Sequence, residues 1–337
     1  MNTSKERLAW LTRTDGTVVV GRGPFREVPE PPASGVAFFK QSFKSDKKNH
    51  WQLPETFEIY SVEEFRGAFA AGELPLIDWE SPDAVPFSEV FQEIMSAIRQ
   101  GSIEKTVPVV TERGRSQGSP VAGIVAAMAA QSAPLHSYGW VGPDEGFSGA
   151  TPELLISMRG CHLETMALAG TAKQEDEAVF SVDEKEIREH EYVAQTLVAK
   201  LHDLGDLERK NRSVLRLGSI VHFHTGISVD LDTPQQPESL VQRLHPTPAL
   251  GPLPRTNQSL AMLAGLREQL ACPAEFGAPF GVWENGSFEA VIAIRGIWWQ
   301  GNDLFLPAGC GIIEPSRLVN EWRELRLKRE AVKRFLV

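Results

Sequence analysis

Cysteine is scarce in this sequence. The three cysteines, Cys161, Cys272 and Cys310, are far apart, odd in number and not spaced like metal ligands. A disulfide framework is therefore not expected, and a reduced, cytoplasmic setting fits the chain. The first ten residues, MNTSKERLAW, also lack the apolar core of a secretory signal.

Long apolar runs and basic blocks are missing as well. The most apolar stretch, residues 121–130, is rich in alanine and too short to cross a bilayer, so we interpret it as a buried helix. The 44 acidic residues outnumber the 34 Lys and Arg, and the formal charge of −10 argues against nucleic-acid binding. If the substrate is a small anion, local positive charge must come from Arg, Lys or a bound cation.

The chain mixes strand and helix patterns, with no repeats and no low-complexity linker. Residues 1–90 are rich in Pro, Gly and short β-branched or aromatic runs, which predict strands and loops. Apolar residues at helical spacing predict helices at 87–99, 119–132, 184–202 and 316–335. Strand-like segments separate them, including single strands over 105–111 and 288–298.

These elements do not follow a regular βαβ alternation. The predicted fold class is therefore α+β, a large, mostly antiparallel sheet system with helices packed outside. We interpret residues 1–90 as the N-terminal part of the sheet scaffold, and residues 91–337 as the region that carries the chemistry, the two forming one intertwined domain.

Two pairs of glutamates at helical spacing are the first chemical signal. Glu186 and Glu189 share one face of a predicted helix, and Glu321 and Glu324 share one face of the last helix. Carboxylates on one face repel each other unless a cation compensates, and all-carboxylate coordination suits a hard ion such as Mg²⁺. The simpler interpretation is a solvated acidic surface, balanced by Lys185, Arg188, Lys328 and Arg329.

The second signal is the segment TPELLISMRGCHLETMALAGTAK at residues 151–173. It places the carboxyl of Glu153 at the start of a strand hairpin that leads to a turn at Gly170 and Thr171. Glycine lets a backbone approach a ligand closely, which leaves N–H groups and a hydroxyl free for an anion. Taken alone, this Gly-Thr pair indicates only a turn.

In this order the segments resemble the chorismate-binding enzymes: anthranilate synthase large subunits, aminodeoxychorismate, isochorismate and salicylate synthases. The resemblance covers roughly residues 90–337. Its blocks are TPELL at 151–155, LAGT at 168–171, DEKE and EH within 183–190, His222, LHPTPA at 244–249, AIR at 293–295, AGCGI at 308–312 and EWRE at 321–324. Each block alone is weak evidence for the family, but the occurrence of all of them in the family's order argues strongly against coincidence.

The resemblance implies a chorismate dianion held on Mg²⁺ in a deep cleft, where the ion bridges the ring carboxylate to the helix glutamates. Glu189 and Glu324 are then the best candidates for metal ligands. Glu186 and Glu321 are expected to bind the ion directly or through water.

The same resemblance assigns the substrate contacts. It places Arg295 against the pyruvyl carboxylate, where a guanidinium can bind with two parallel hydrogen bonds, and Gly170 and Thr171 beside the ring carboxylate. His222 lies either near the ring or the departing hydroxyl, or is a hydrogen-bonded core histidine. The other predicted substrate-binding residues are Ala249, Leu250, Phe276, Gly309 and Lys328.

One position separates water-using members of the family from ammonia users. The former carry a lysine where the latter carry glutamine, and Lys105 occupies that place. A lysine can act as a base only if desolvation lowers its pKa enough to populate the neutral amine; the alternative is a solvent-facing lysine at a strand edge. The strand continues Pro108-Val109-Val110, where the family usually has a Ser-Arg pair.

Other positions argue against neighbouring activities. Ala169 stands where covalent aminodeoxychorismate synthases carry a nucleophilic lysine. Salicylate synthases tend to carry Thr at the place of Ala249 and Tyr at the place of Phe276, so the chain looks like an isochorismate-only enzyme.

The sequence therefore predicts a Mg²⁺-dependent isochorismate synthase. Neutral Lys105 takes a proton from water that attacks ring C2, and protonated Glu153 donates to the leaving C4 hydroxyl on the opposite ring face. If Lys105 and Glu153 lie close together, they prefer the ion pair, in which the amine cannot accept a proton and the carboxylate cannot donate one. Exclusion of water must therefore favour the neutral pair. We expect them to titrate as a coupled unit.

Three alternatives stay open: a salicylate synthase, an ammonia-using anthranilate or aminodeoxyisochorismate synthase, and a non-catalytic relative that binds chorismate or metal. We expect a monomer with no obligatory glutaminase subunit, no nucleic-acid partner and no membrane. Neighbouring enzymes decide whether isochorismate enters menaquinone, siderophore or salicylate biosynthesis.

Overall fold

The described part of the chain contains twenty-one strands. The computed structural model describes residues 7–45 and 49–336. In chain order the strands are β1 (Leu8–Thr12), β2 (Thr17–Arg22), β3 (Arg26–Val28), β4 (Val36–Lys40), β5 (Trp51–Leu53), β6 (Thr56–Ser61), β7 (Ile77–Glu80), β8 (Lys105–Thr106), β9 (Val109–Ser116), β10 (His136–Val141), β11 (Glu145–Thr151), β12 (Leu154–Arg159), β13 (His162–Lys173), β14 (Gly205–Arg209), β15 (Ser213–Leu217), β16 (Ile220–Leu231), β17 (Pro279–Glu284), β18 (Ser287–Ile292), β19 (Gly296–Gln300), β20 (Asp303–Gly309) and β21 (Ile312–Ile313).

The strands form two large sheets and one small one. The first sheet has the order β6-β2-β1-β10-β11-β19-β20-β9-β7, and the second has the order β14-β16-β13-β12-β18-β17-β4-β5-β3, with β15 also paired to β16. Strand β8 pairs with β21 in the small sheet, and its Lys105 also bridges to Leu253. The recorded pairs of strands are antiparallel, which confirms the predicted sheet system.

Helices cover these sheets. They are α1 (Val62–Phe69), α2 (Ala84–Arg99), α3 (Val121–Ala129), α4 (Glu177–Phe180), α5 (Glu184–Leu201), α6 (Pro237–Leu244), α7 (Asn257–Gln269) and α8 (Leu318–Lys333). Helix α5 packs on β13 and β16, α3 on β10 and β11, and α8 on β20. The four predicted helices and the α+β class are thereby confirmed, whereas α1, α4, α6 and α7 were not predicted.

The main core lies between the two large sheets. Leu11 of the first sheet and Phe38, Ile156 and Val291 of the second are almost fully buried there. Burial of each such side chain stabilises the fold by about 2 kcal/mol. The strands that precede residue 91 join both sheets, because β1, β2, β6 and β7 lie in the first and β3 to β5 in the second.

Two neighbouring strands pass from one sheet to the other at the same place, which we name the first crossing (residues 152–153 beside 293–295). Strand β11 pairs with β19 in the first sheet, and β12 pairs with β18 in the second. The prediction of one strand over 288–298 is therefore wrong. The break occurs at Arg295, whose φ of 58° lies in the left-handed region that a strand cannot use.

A second pair leaves the first sheet at residues 107–108 beside 310–311, the second crossing. Strand β9 pairs with β20 in the first sheet, whereas β8 pairs with β21. The predicted single strand over 105–111 is thus two strands. Pro108 has no N–H to donate to a ladder, which is consistent with a break there; its carbonyl lies 3.4 Å from the Cys310 amide.

No described helix has both the length and the apolar character that a membrane span requires. The three cysteines are free thiols.

Candidate active site

A cleft of about 660 Å³, its open mouth included, lies between the two crossings. Twelve of the fifteen predicted site residues line it: Glu153, Gly170, Thr171, Glu189, His222, Ala249, Leu250, Phe276, Arg295, Gly309, Glu324 and Lys328. The structure thus brings together residues that are up to 175 positions apart in the chain. Their roles remain predictions.

Three predicted residues lie behind this wall rather than on it. The Lys105 Nζ atom is 2.9 Å from Glu189 Oε1. The Glu186 carboxylate accepts the Thr171 N–H at 2.9 Å. Glu321 is 1% exposed and reaches the others through Lys185. Lys105 and Glu186 thus contact residues that line the cleft, and Glu321 contacts Lys185 next to them.

Glu153 belongs to the first crossing, between β11 and β12. Its backbone N–H donates to Thr151 Oγ1 at 3.2 Å, which orients the short connection. Burial raises the pKa of the Glu153 carboxyl to about 7, although the ammonium groups of Lys328 and Lys105 oppose the shift. A substantial fraction of Glu153 is therefore protonated near neutral pH, as a proton donor must be.

Arg295 faces Glu153 across the same crossing. The Arg295 guanidinium donates to His222 Nε2 at 2.8 Å, and His222 Nδ1 donates to the Gly170 carbonyl at 2.7 Å. Burial, together with the Arg295 charge, lowers the pKa of His222 well below its usual value, so the imidazole is neutral. Both ring nitrogens are thus engaged, and His222 orients Arg295 while it lines the cleft.

Lys105 lies in β8, next to the second crossing, and is completely buried. A Cβ atom at Gly311 would lie 2.0 Å from Glu189 Oε1 and 2.8 Å from Lys105 Cε. Only glycine leaves room for this ion pair. Burial alone would raise the pKa of Glu189, but the Lys105 and Lys185 ammonium groups lower it, so the carboxylate stays charged. The solvent-facing interpretation of Lys105 is therefore wrong.

The four helix glutamates converge at one end of the cleft. Glu189, Glu321 and Glu324 are between 1% and 9% exposed, so the interpretation as a solvated acidic surface is wrong. Burial raises the pKa of Glu186 to about 7 and that of Glu321 to about 8.

Two lysines that the simpler interpretation places on a solvated surface, Lys185 and Lys328, turn into this group. The Lys185 Nζ atom lies 2.9 Å from Glu186, 3.4 Å from Glu189 and 3.3 Å from Glu321. The Lys328 Nζ atom lies 2.6 Å from Glu324 and 2.8 Å from the Gly309 carbonyl.

The donor set of the four glutamates fits a hard divalent cation. All donors are carboxylate oxygens, which Mg²⁺ prefers, and the buried Glu321 Oε2 has no hydrogen-bond partner. Within residues 7–45 and 49–336, however, no three metal-binding side chains already stand around a common point. The Lys185 ammonium group lies among the oxygens instead.

Two features of the site were missed by the sequence analysis. Gly311 lies in the AGCGI block, so its position could have been found, but the need for glycine comes from the Lys105–Glu189 pair. Lys185 was assigned only to a solvated surface. The apolar part of the wall includes Ala249, Leu250 and Phe276, which carry no hydroxyl groups.

Comparison with known proteins is consistent with this geometry. A family model described as chorismate binding enzyme matches residues 40–337. The structure of MenF, the menaquinone-specific isochorismate synthase from Escherichia coli, superposes with a TM-score of 0.82 at 18% identity. That match covers 99% of this chain and 89% of the other, and it confirms the predicted fold.

Two curated relatives are similar in sequence. The isochorismate synthase MenF of Bacillus subtilis is 32% identical over 196 residues, which cover 54% of this chain and 40% of that protein. The salicylate biosynthesis isochorismate synthase of Pseudomonas aeruginosa is 29% identical over 261 residues, which cover 72% of this chain and 53% of that protein. The chain spans about half the length of the curated relatives it matches.

Proposed function

Because this chain belongs to the family of chorismate-binding enzymes, we propose that it is an isochorismate synthase. The reaction adds water at ring C2 of chorismate and expels the C4 hydroxyl, and it is reversible. The observation that carries the proposal is the pair of buried groups at the two crossings. A protonatable carboxyl, Glu153, lines a cleft whose cations, Arg295 and Lys328, suit a dianion, and an amine, Lys105, is buried directly behind the cleft wall.

The cations of the cleft match the two carboxylates of chorismate. Arg295 is held by His222 with its guanidinium in the wall, and it would bind the pyruvyl carboxylate. Lys328 and the Gly170–Thr171 turn lie on the same wall and would face the ring carboxylate. Binding there withdraws the substrate from water, which strengthens each of these contacts.

Glu153 supplies the proton for the leaving hydroxyl. Its carboxyl is buried and its pKa is raised to about 7, so the proton is available without strongly acidic conditions. Donation to the C4 oxygen turns a poor leaving group, hydroxide, into water. Arg295 and Lys328 then stabilise the carboxylate that remains.

Lys105 takes the proton from the attacking water. It can do so only as the neutral amine, and the Glu189 carboxylate at 2.9 Å stabilises the ammonium form instead. Glu189 must therefore weaken its contact with Lys105 before water is deprotonated. Coupled titration of Lys105 and Glu153 stays a prediction: the Lys105 charge opposes the rise of the Glu153 pKa, but the ion-pair partner of Lys105 is Glu189.

We further propose a requirement for Mg²⁺, with Glu189 and Glu324 as ligands and Glu186 and Glu321 as direct or water-mediated ligands. The bound ion would neutralise the ring carboxylate and draw electron density from the ring. The buried carboxylates and the unpartnered Glu321 Oε2 support this assignment.

The rival activities have less support. A salicylate synthase must also eliminate pyruvate, and the hydroxyl groups that its relatives tend to carry are replaced here by Ala249 and Phe276, both on the cleft wall. An ammonia user does not need the base Lys105. A non-catalytic relative needs neither Lys105 nor Glu153.

The relatives' names point to one shared product. They include a menaquinone-specific and a salicylate-biosynthesis isochorismate synthase. We therefore propose isochorismate as the product, delivered to menaquinone, siderophore or salicylate formation by a cytoplasmic, monomeric enzyme without a glutaminase subunit.

Product identification tests this proposal. The purified chain is incubated with chorismate and Mg²⁺, with chorismate and a chelator, and with chorismate, Mg²⁺ and ammonium, and the products are separated by liquid chromatography. We expect isochorismate only where Mg²⁺ is present. Fluorescent salicylate would indicate the lyase, an amino product would indicate the ammonia user, and no product would favour the non-catalytic relative.

A further inference from the structure

The Lys185 ammonium group occupies the middle of the glutamate group. Its Nζ atom lies within 3.4 Å of oxygen atoms from Glu186 and Glu189 on α5 and within 3.3 Å of Glu321 on α8. One cation thus joins the two acidic helices. The Lys185 pKa is raised strongly, since the surrounding carboxylates outweigh the effect of burial.

These carboxylates are the same groups that would hold a divalent ion. Mg²⁺ binds oxygen ligands at about 2.0–2.1 Å. An ion that shares the three oxygens contacted by Lys185 would lie too close to its Nζ atom, and two positive centres at that distance repel strongly in a buried site. The ammonium group and the ion therefore exclude each other.

We propose that Lys185 stands in for the divalent ion in the metal-free protein and that metal binding displaces its ammonium group. The inference rests on the Mg²⁺ requirement of the proposed function. Lys185 compensates the charge of the three carboxylates that it contacts when no metal is bound. It also lowers metal affinity, since the ion must break three ionic contacts to enter.

Lys185 has a route out of the group. It is the second residue of α5, and its side chain is 19% exposed, in contrast to the fully buried Lys105. A lysine side chain has a flexible four-carbon stem, so its charged end can turn into solvent while the helix stays in place. The charge count also favours departure. Four carboxylates with Lys105, Lys328 and a divalent ion are neutral, whereas retention of Lys185 adds one positive charge.

Replacement of Lys185 by methionine tests the exchange. Mg²⁺ is titrated into chelator-treated wild-type protein and Lys185→Met by calorimetry, and thermal unfolding is measured with and without saturating Mg²⁺. We expect Lys185→Met to bind Mg²⁺ about tenfold more tightly, which corresponds to about 1.4 kcal/mol. The metal-free variant should lose the same stability, while the Mg²⁺-saturated variant should unfold like the saturated wild type.

The stability of the saturated form makes this test specific. A lysine that stays among the carboxylates beside the ion would lower the stability of both forms when removed. Equal destabilisation of both forms, or Mg²⁺ affinity unchanged or weaker in Lys185→Met, would overturn the inference while leaving the proposed function intact. Absence of Mg²⁺ binding by the wild type would overturn both.

Arg188→Met is the matched control. Arg188 lies on the same helix and carries the same charge, but it is half-exposed and its recorded carboxylate partner is Glu314, at 3.6 Å. Its replacement should leave Mg²⁺ affinity and both unfolding temperatures nearly unchanged. If metal-free Lys185→Met does not stay folded, Lys185→Gln, purified with Mg²⁺ and titrated by competition with a chelator, should still show the tighter binding. Wild-type affinity in that variant would contradict the exchange.

Discussion

At both crossings a pair of strands leaves the first sheet, but the buried charged groups that they position have opposite surroundings. Among the described residues, one lacks an ion-pair partner and the other has one. At the first, β11 and β19 leave one sheet and bring Glu153 and Arg295 onto the cleft wall. At the second, β9 and β20 leave the sheet, and the chain places Gly311 on the cleft wall and buries Lys105 behind it. In the described part of the chain Glu153 makes no ion pair, whereas Lys105 lies against Glu189.

Because of this difference, Glu153 can donate a proton as it stands, whereas Lys105 cannot accept one until its contact with Glu189 weakens. A buried carboxyl without a counter-ion keeps its proton, and its pKa is raised. A buried amine beside a carboxylate is held in the charged form, which cannot accept a proton. We therefore expect substitutions at the first crossing to act on proton donation directly, and substitutions at the second to act through the Lys105–Glu189 pair.

The largest effect is expected for Lys105→Ala, which removes the base of the second crossing. Water addition should fall by roughly 10³-fold or more, since general-base catalysis contributes about 10²–10⁴-fold. Isochorismate formation measured by liquid chromatography checks this, with added ammonium to detect a weak amino product. Lys105→Gln, which keeps a hydrogen-bond donor toward Glu189, controls for loss of structure. Full isochorismate formation by Lys105→Ala would refute its assignment as base.

At the first crossing, Glu153→Gln should lower turnover by roughly 10²–10³-fold, because the amide keeps the shape but has no transferable proton. Chorismate binding in the presence of Mg²⁺, followed by calorimetry, should persist. If binding is lost together with turnover, Glu153 holds the substrate rather than protonating it.

A smaller effect is expected for Gly311→Ala, which tests whether the second crossing depends on the close approach of the pair. The new Cβ would collide with Glu189 and Lys105. Overpacking of this kind costs about 1–3 kcal/mol, and turnover should fall by about tenfold as the pair is displaced. Thermal unfolding and kcat measure both. Gly265→Ala in α7 is the control, because the added Cβ would meet no atom outside the local helix backbone within 4 Å. It should lower neither the unfolding temperature nor kcat.

The last prediction concerns stability alone and is a dependence of stability on pH. The pKa of Glu153 is raised from 4.5 to about 7 in the folded protein, so its contribution is full below pH 4.5 and is lost as the pH rises to 7. The shift corresponds to at most roughly 3 kcal/mol. Denaturant unfolding of metal-free wild type and Glu153→Gln should therefore show the variant gaining relative stability between pH 4.5 and 7. A constant difference would mean that folding does not raise the pKa of Glu153.

Much of the site was predictable because it follows local patterns. The glutamate pairs were assigned from helical spacing, and α5 and α8 place them as expected. The order of the blocks identified the family. The pairing of Lys105 with Glu189, 84 positions away, was not predictable, since no local pattern states which buried cation meets which carboxylate.

The sequence by itself determined the antiparallel sheet class, the acidic helices and the set of groups that can exchange protons. Periodicity and residue chemistry are local properties, so they can be determined from the sequence without knowledge of the fold. Only the tertiary structure decided that strands break at Pro108 and Arg295, that Lys185 turns inward and that Gly311 admits an ion pair. These outcomes depend on which charged groups and backbone segments come into contact. The free energy of each contact is set by residues that are far apart in the chain.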